Sequence, residues 1–267
     1  MTTQADNGTV TMTCDAHVAH IVVDRASKMN GFTPEMFTAL EDALTQLDQN
    51  RDLWVGVVSF AGQHSTAGLD LPRFAASMRG EAGEHEQPGD TTRVDGFGLK
   101  HRCSKPLVMA VQGITFTIGI EMMLAADIVI AADDCRFCQM EPKRGLAVFG
   151  GAHVRYVQRA GWGNAMYHLL RADEFGAARA LAIGFVQEVV PVGAQVRRAL
   201  EIAGEIASLG PIAVQEIKRG ALRYLAAGED AAFAEIPAMR ARSAGSNDFA
   251  EGLASFREKR APTFTGS

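Results

Sequence analysis

Residues 106–131 read PLVMAVQGITFTIGIEMMLAADIVIA, a segment that begins as one strand and ends as another. Residues 107–111 are unbroken apolar and include two valines, which suits a strand buried on both faces of a sheet. Gly113 marks a turn. After it, Thr115, Thr117 and Gly119 supply small or hydroxyl-bearing residues of the kind found where a backbone comes close to a ligand. From Ile118 the spacing becomes helical. A helix start leaves N–H groups without intrahelical partners at the positive end of the dipole, so it can hold an anion or a developing oxyanion. Glu121 is the one acid among Ile118, Ile120, Met122, Met123, Leu124 and Ala125. Either it turns to solvent or meets an arginine, or it is buried with the raised pKa that a general acid or base needs at neutral pH.

The composition around this segment is that of a globular protein. The chain has 267 residues, 47% of them hydrophobic and 21% charged, which suits one large domain or one domain with a smaller appendage. Its net charge is -5, from 26 basic and 31 acidic side chains without a basic block, and this argues against nucleic acid or an anionic membrane as partner. The start, MTTQADNG, has neither the apolar core of a signal peptide nor basic transit character. The most apolar stretch, residues 106–130, carries Glu121 and Asp127, so no membrane span is expected and a cytoplasmic location is. Cys14, Cys103, Cys135 and Cys138 form no disulfide framework, and a single CxxC without a second pair reads as two ordinary thiols rather than a metal site.

Along the chain, residues 10–14 and 17–23 form a hairpin, Thr33 and Pro34 start a helix that runs to about Asn50, and residues 54–60 form an apolar strand. This strand, helix, strand order marks an α/β chain with parallel pairing. AGQHSTAGLDLPRF leads from that strand to a short helix at Leu71. Residues 79–92, acidic and nearly without apolar side chains, read as a mobile surface loop, and residues 97–102 as a helix. A short strand ends near Glu141. Helices are expected at 152–159, 164–170 and 176–183, a strand at 186–190, and then only helices: 196–208, 212–226, 231–242 and 249–257.

These pieces resemble the crotonase, or enoyl-CoA hydratase/isomerase, superfamily over almost the whole chain. Ala67-Gly68-Leu69-Asp70-Leu71 is similar to the AG-x-D-L segment that supplies one oxyanion-hole N–H, here that of Leu69. Residues 111–121 match the segment V-N-G-x-A-x-G-G-G-x-E without a gap, which places the second N–H at Ile118 and one glutamate at Glu121. The second glutamate, of a Q-P-E segment, falls on Glu141 in Gln139-Met140-Glu141. The tail, residues 256–264, is similar to F-x-E-K-R-x-P-x-F. Leu69, Thr117 and Ile118 depart from the family pattern and imply a tighter pocket at the carbonyl, although a backbone N–H survives each change. Arg144, in the loop after Glu141, is placed to reach Glu141 or an acidic substrate, or else lies on the surface.

The resemblance implies an α/β fold: a crotonase-like spiral of repeated ββα units over residues 1–193 and a C-terminal helical region, 194–267, for oligomerisation and for covering the CoA site. It implies syn addition of water to a 2-trans-enoyl-CoA, with Glu121 on the water and Glu141 on the proton. Two fixed N–H groups would stabilise the enolate-like oxygen more than the ground-state carbonyl. Arg25, Lys28, Ala67 and Lys259 are the implied CoA contacts. Coenzyme A is part of the substrate, with no other cofactor and no metal, and the implied assembly is a homotrimer or a dimer of trimers. An enoyl-CoA double-bond isomerase, other acyl-CoA thioester chemistry of the superfamily, and an acyl-CoA binder that turns nothing over are the alternatives. The lysine-rich helix of RNA-binding members is missing. Met36, Phe74, Met78, Phe97, Phe116 and Phe149 are candidate acyl-tunnel residues or plain core.

Overall fold

The computed structural model describes residues 6–78 and 93–267, so the loop expected at 79–92 lies outside the described residues. A six-stranded sheet runs in the order β1 (Thr9–Asp15), β2 (Val18–Asp24), β3 (Val55–Phe60), β4 (Leu107–Val111), β6 (Ile128–Ala132) and β9 (Glu188–Val190). The β1–β2 hairpin is antiparallel and every later pairing is parallel. Beside it, β5 (Ile114–Phe116), β7 (Arg136–Cys138) and β8 (Phe175–Gly176) form a three-stranded sheet. The chain leaves β4, turns at Gly113 (φ 51), lays β5 into the second sheet and returns to the first as β6 after α3 (Ile118–Ala125). The quoted segment therefore stitches the two sheets together.

Why β3, β4 and β6 lack polar alternation is plain from their two faces. One face packs on α1 (Pro34–Gln49), α3 and α4 (Ala152–Arg171); on the other, Val55, Val57, Val108, Ala110 and Ile130 meet Ala199, Ile202 and Ala203 of α6 (Gln195–Ala207). The first helix after residue 193 is thus part of the packed body. In contrast α7 (Pro211–Ala234), α8 (Ile236–Ala244) and α9 (Asn247–Glu258) leave Ile217, Tyr224, Phe233, Ile236, Phe249 and Phe256 exposed. Thr33 caps α1 by accepting the Met36 N–H at 3.2 Å, with Pro34 in the first turn as the sequence predicts. Gly161 (φ 73) breaks α4 where two helices were expected, and Gly228 (φ 81) breaks α7.

The helix expected at 97–102 does not form. Asp95 accepts the N–H groups of Phe97, Leu99, Lys100 and His101 at 2.9–3.1 Å, and Gly98 sits at φ 55. One carboxylate here replaces the helical ladder with a side-chain-nucleated loop. The strand expected to end near Glu141 stops at Cys138, and Glu141 instead opens a 3-10 turn, Glu141–Arg144, in which Pro142 cannot extend the pairing. All four cysteines are free; Cys103, Cys135 and Cys138 are buried and Cys14 is exposed. Among the described residues no group of three or more His, Cys, Asp or Glu could hold a metal, and no helix is long and apolar enough to cross a membrane.

Candidate active site

The strand leaving β3 passes an isolated bridge in which Phe32 N–H donates to Gly68 C=O and Asp70 N–H donates to Phe32 C=O, both at 2.9 Å. The intervening Leu69 N–H therefore faces away from Phe32. Opposite it, Thr117 caps α3 at φ 50, ψ -115; its N–H donates to Cys138 C=O at 3.0 Å and its C=O accepts from Ile120 and Glu121. The next N–H, that of Ile118, is the first at the helix start. Among the described residues neither Leu69 N–H nor Ile118 N–H meets a backbone acceptor. Both residues line one cavity of about 430 Å³ together with Ala67, Glu121, Glu141 and Arg144. A thioester oxygen in it would meet two donors at the positive end of a helix.

Glu121 is 1% exposed, and its Oε1 accepts the N–H of Ala152, the first residue of α4, at 3.2 Å. Burial raises its pKa, while the Ala152 and Gly150 N–H groups and the Arg155 charge pull in the other direction. Gly150 must be glycine for this to fit, since a Cβ there would lie 2.5 Å from Glu121 Oε2. Glu141 Oε1 accepts from Gln139 Nε2 at 3.3 Å, and its Oε2 is buried without a protein partner. Burial first, and then the charge of Glu121, push the Glu141 carboxyl up to about 7. The two carboxyls thus face one cavity from unequal environments, Glu121 buried against the start of α4 and Glu141 half-buried with one oxygen unpartnered.

The rest of the wall is apolar: Phe37, Leu71, Phe74, Phe97, Met140, Leu146 and Phe149. Of the tunnel candidates, Phe74, Phe97 and Phe149 are there, whereas Met36 is core, Phe116 lies on β5 outside the lining, and the Met78 side chain lies outside the described residues. The ion pair weighed between Arg144 and Glu141 does not form; Arg144 is exposed at the cavity wall. Phe37 and Glu41, one turn apart on α1, also line the cavity, and neither is among the sequence-based candidates. Gly150, which with Gly151 precedes the helix expected at 152–159, is likewise not among the sequence-based candidates. Consecutive glycines before a helix are a signal of close backbone approach, and here the approaching group is Glu121.

Of the implied CoA contacts, Ala67 lines the cavity; Arg25, Lys28 and Lys259 do not. Arg25 is buried and donates to Asp6 C=O at 2.9 Å, Gly31 C=O at 2.7 Å and Asp70 Oδ2 at 2.9 Å, so its guanidinium braces the loop that presents Leu69. Lys28 and Lys259 are exposed, the latter at φ 54 after α9.

A largely parallel six-stranded sheet beside a second small sheet forms an α/β fold in which two free N–H groups, the buried Glu121 and the half-buried Glu141 face one cavity, and sequence comparison identifies the family. The family model for enoyl-CoA hydratase/isomerase matches residues 13–267, and the chain belongs to that family. It is 31% identical to enoyl-CoA hydratase EchA19 of Mycobacterium tuberculosis over 93% of each chain. It is 26% identical to the peroxisomal Delta(3,5)-Delta(2,4)-dienoyl-CoA isomerase of Arabidopsis thaliana, over 94% of this chain and 93% of that one. A crystal structure of a probable enoyl-CoA hydratase/isomerase from Mycobacterium abscessus superposes with a TM-score of 0.91 at 37% identity, covering 97% of this chain and 98% of the other. The crotonase fold is therefore present.

Proposed function

We propose that the protein is an enoyl-CoA hydratase that adds water syn across the double bond of a 2-trans-enoyl-CoA. The observation that carries this is the pairing, in one largely apolar cavity, of the buried Glu121 and the half-buried Glu141 with two unengaged N–H groups. The thioester oxygen sits between Leu69 N–H and Ile118 N–H, which favour the charge of the enolate-like state over the neutral carbonyl. Glu121, buried and held through its Oε1 by the Ala152 N–H at the start of α4, orients the water and accepts its proton. Glu141, protonated up to about pH 7, gives its proton to the neighbouring carbon. Coenzyme A is then part of the substrate and the reaction uses no further cofactor. Lys28 and Lys259 serve its phosphates, and the exposed apolar side chains of α7, α8 and α9 are covered by neighbouring subunits of a trimer or paired trimers.

The test is loss of the conjugated enoyl-thioester absorbance with crotonyl-CoA and longer 2-enoyl-CoAs, for wild type, Glu121→Gln and Glu141→Gln. Turnover abolished by both substitutions supports hydration. Turnover that needs one glutamate only, with the double bond moved rather than hydrated, replaces this reading with an isomerase. Binding without turnover leaves an acyl-CoA binder.

A further inference from the structure

Arg155 is a buried cation in a place that disfavours one. It is 6% exposed and lies in the second turn of α4, near the positive end of that helix's dipole. Burial and the neighbouring Arg102 push its pKa down to about 10. Among the described residues no carboxylate lies within ion-pair distance of it. Instead its guanidinium donates to two carbonyls, Gly150 C=O at 3.0 Å and Gly98 C=O at 3.1 Å. A buried charge held this way is strongly disfavoured unless the field around it compensates.

The two carbonyls belong to the loops that enclose Glu121. A Cβ on Gly150 would lie 2.5 Å from Glu121 Oε2 and 2.7 Å from the Phe97 ring, so the carboxylate and Phe97 both pack against the Gly150 backbone. Phe97 and Gly150 both line the cavity. We infer that Arg155 is a positioning residue for Glu121: by joining the Gly98 and Gly150 carbonyls it fixes the wall on which the catalytic carboxylate rests, and its charge balances that carboxylate. The other groups facing Glu121 are Glu141 from the 3-10 turn and Tyr156 from α4; those facing Arg155 are Asp95 and Arg102 from the 93–102 loop and Arg159 from α4. Only Arg155 puts positive charge on Glu121 among the causes that move it.

This inference rests on the hydratase reading for its kinetic part, and on Glu121 titration for the part that does not. The experiment is a carboxyl-carbon NMR titration of glutamate-labelled protein, with the Glu121 resonance identified by its loss in Glu121→Gln, in wild type, Arg155→Met and Arg155→Lys. In Arg155→Met the Glu121 midpoint rises by about half a unit to one unit; in Arg155→Lys it stays near wild type. Both variants lose about tenfold to a hundredfold in kcat on a 2-enoyl-CoA, with KM changed less than about threefold. A folded Arg155→Met with an unmoved Glu121 midpoint overturns the inference. Should that variant not fold, Arg155→Gln, which keeps a donor without the charge, takes its place under the same criterion. If wild type turns over no 2-enoyl-CoA the hydratase reading falls, while the titration still decides the role of Arg155.

Discussion

The hydroxyl of Thr117 lies over Gly68, so close that a Cβ at residue 68 would come within 2.5 Å of Thr117 Oγ1. This contact sets the spacing of the two N–H groups proposed as oxyanion donors, because Gly68 immediately precedes Leu69 and Thr117 immediately precedes Ile118. Gly68 also holds φ +113, a conformation side chains rarely adopt.

Gly68→Ala is therefore expected to push the 67–71 segment off the start of α3. The Leu69 N–H would leave the oxyanion position, and loss of one such donor costs roughly a hundredfold to a thousandfold in kcat. Steady-state kinetics beside a thermal melt check this: a folded variant with wild-type kcat would remove Leu69 from the oxyanion hole.

Thr117 itself is strained. It is β-branched and holds φ 50, ψ -115, where glycine is at ease. Such strain is worth about 1–3 kcal/mol, less the extra unfolded-state entropy of glycine at about 0.5–1 kcal/mol. Thr117→Gly should thus stabilise by about 1 kcal/mol and raise Tm by about 2 °C. Urea unfolding monitored by circular dichroism measures it, and a destabilised Thr117→Gly would show that the side chain's packing on Gly68 outweighs the strain.

Glu141 gives a pH-dependent prediction. Its carboxyl titrates at about 7 in the fold against 4.5 when exposed, because burial and Glu121 disfavour the ionised form. The folded state therefore binds the proton more tightly, and stability falls as pH rises between those two values. Glu141→Gln, always neutral, should be as stable as wild type at pH 4 and more stable at pH 8 by about 1–2 kcal/mol after solvent screening. As acid, Glu141 must be protonated, so kcat/KM for hydration should decline above about pH 7. Paired denaturation curves at the two pH values, with a pH–rate profile, test both statements; a gap that does not widen with pH contradicts the first.

Arg25 is expected to act on the fold before it acts on CoA. Its guanidinium is committed to two carbonyls and to Asp70, next to Leu69. Arg25→Met should cost about 2–3 kcal/mol of stability by orphaning these partners. Lys28→Met, at an exposed lysine in the same loop, should leave stability unchanged. Equilibrium unfolding and CoA-ester titration of both variants separate the two roles.

Some of the molecule was legible because its chemistry is local. Runs such as Leu107–Val111 and Ile128–Ala132 are apolar throughout because both their faces are covered, and their order with α1 and α3 identifies a parallel α/β sheet. Thr33 and Pro34 write the start of α1, and motif spacing brought out Leu69, Ile118, Glu121 and Glu141. The loop around Asp95 was not legible, since a carboxylate that collects four N–H groups competes with helix formation in a way periodicity does not register.

By itself, then, the sequence determined the class of fold and the residues offered as candidates for the site, because hydrophobic period and residue type are written along the chain. The electrostatic character of those groups was decided by tertiary structure alone. Glu121 accepts an N–H at the N-terminus of α4, a helix that begins well after it in the chain; Glu141 is raised toward neutrality by burial and, secondarily, by Glu121; Arg25 is bound to Asp70. Each depends on which distant segments exclude water from the group, and burial, unlike residue type, belongs to the packed fold.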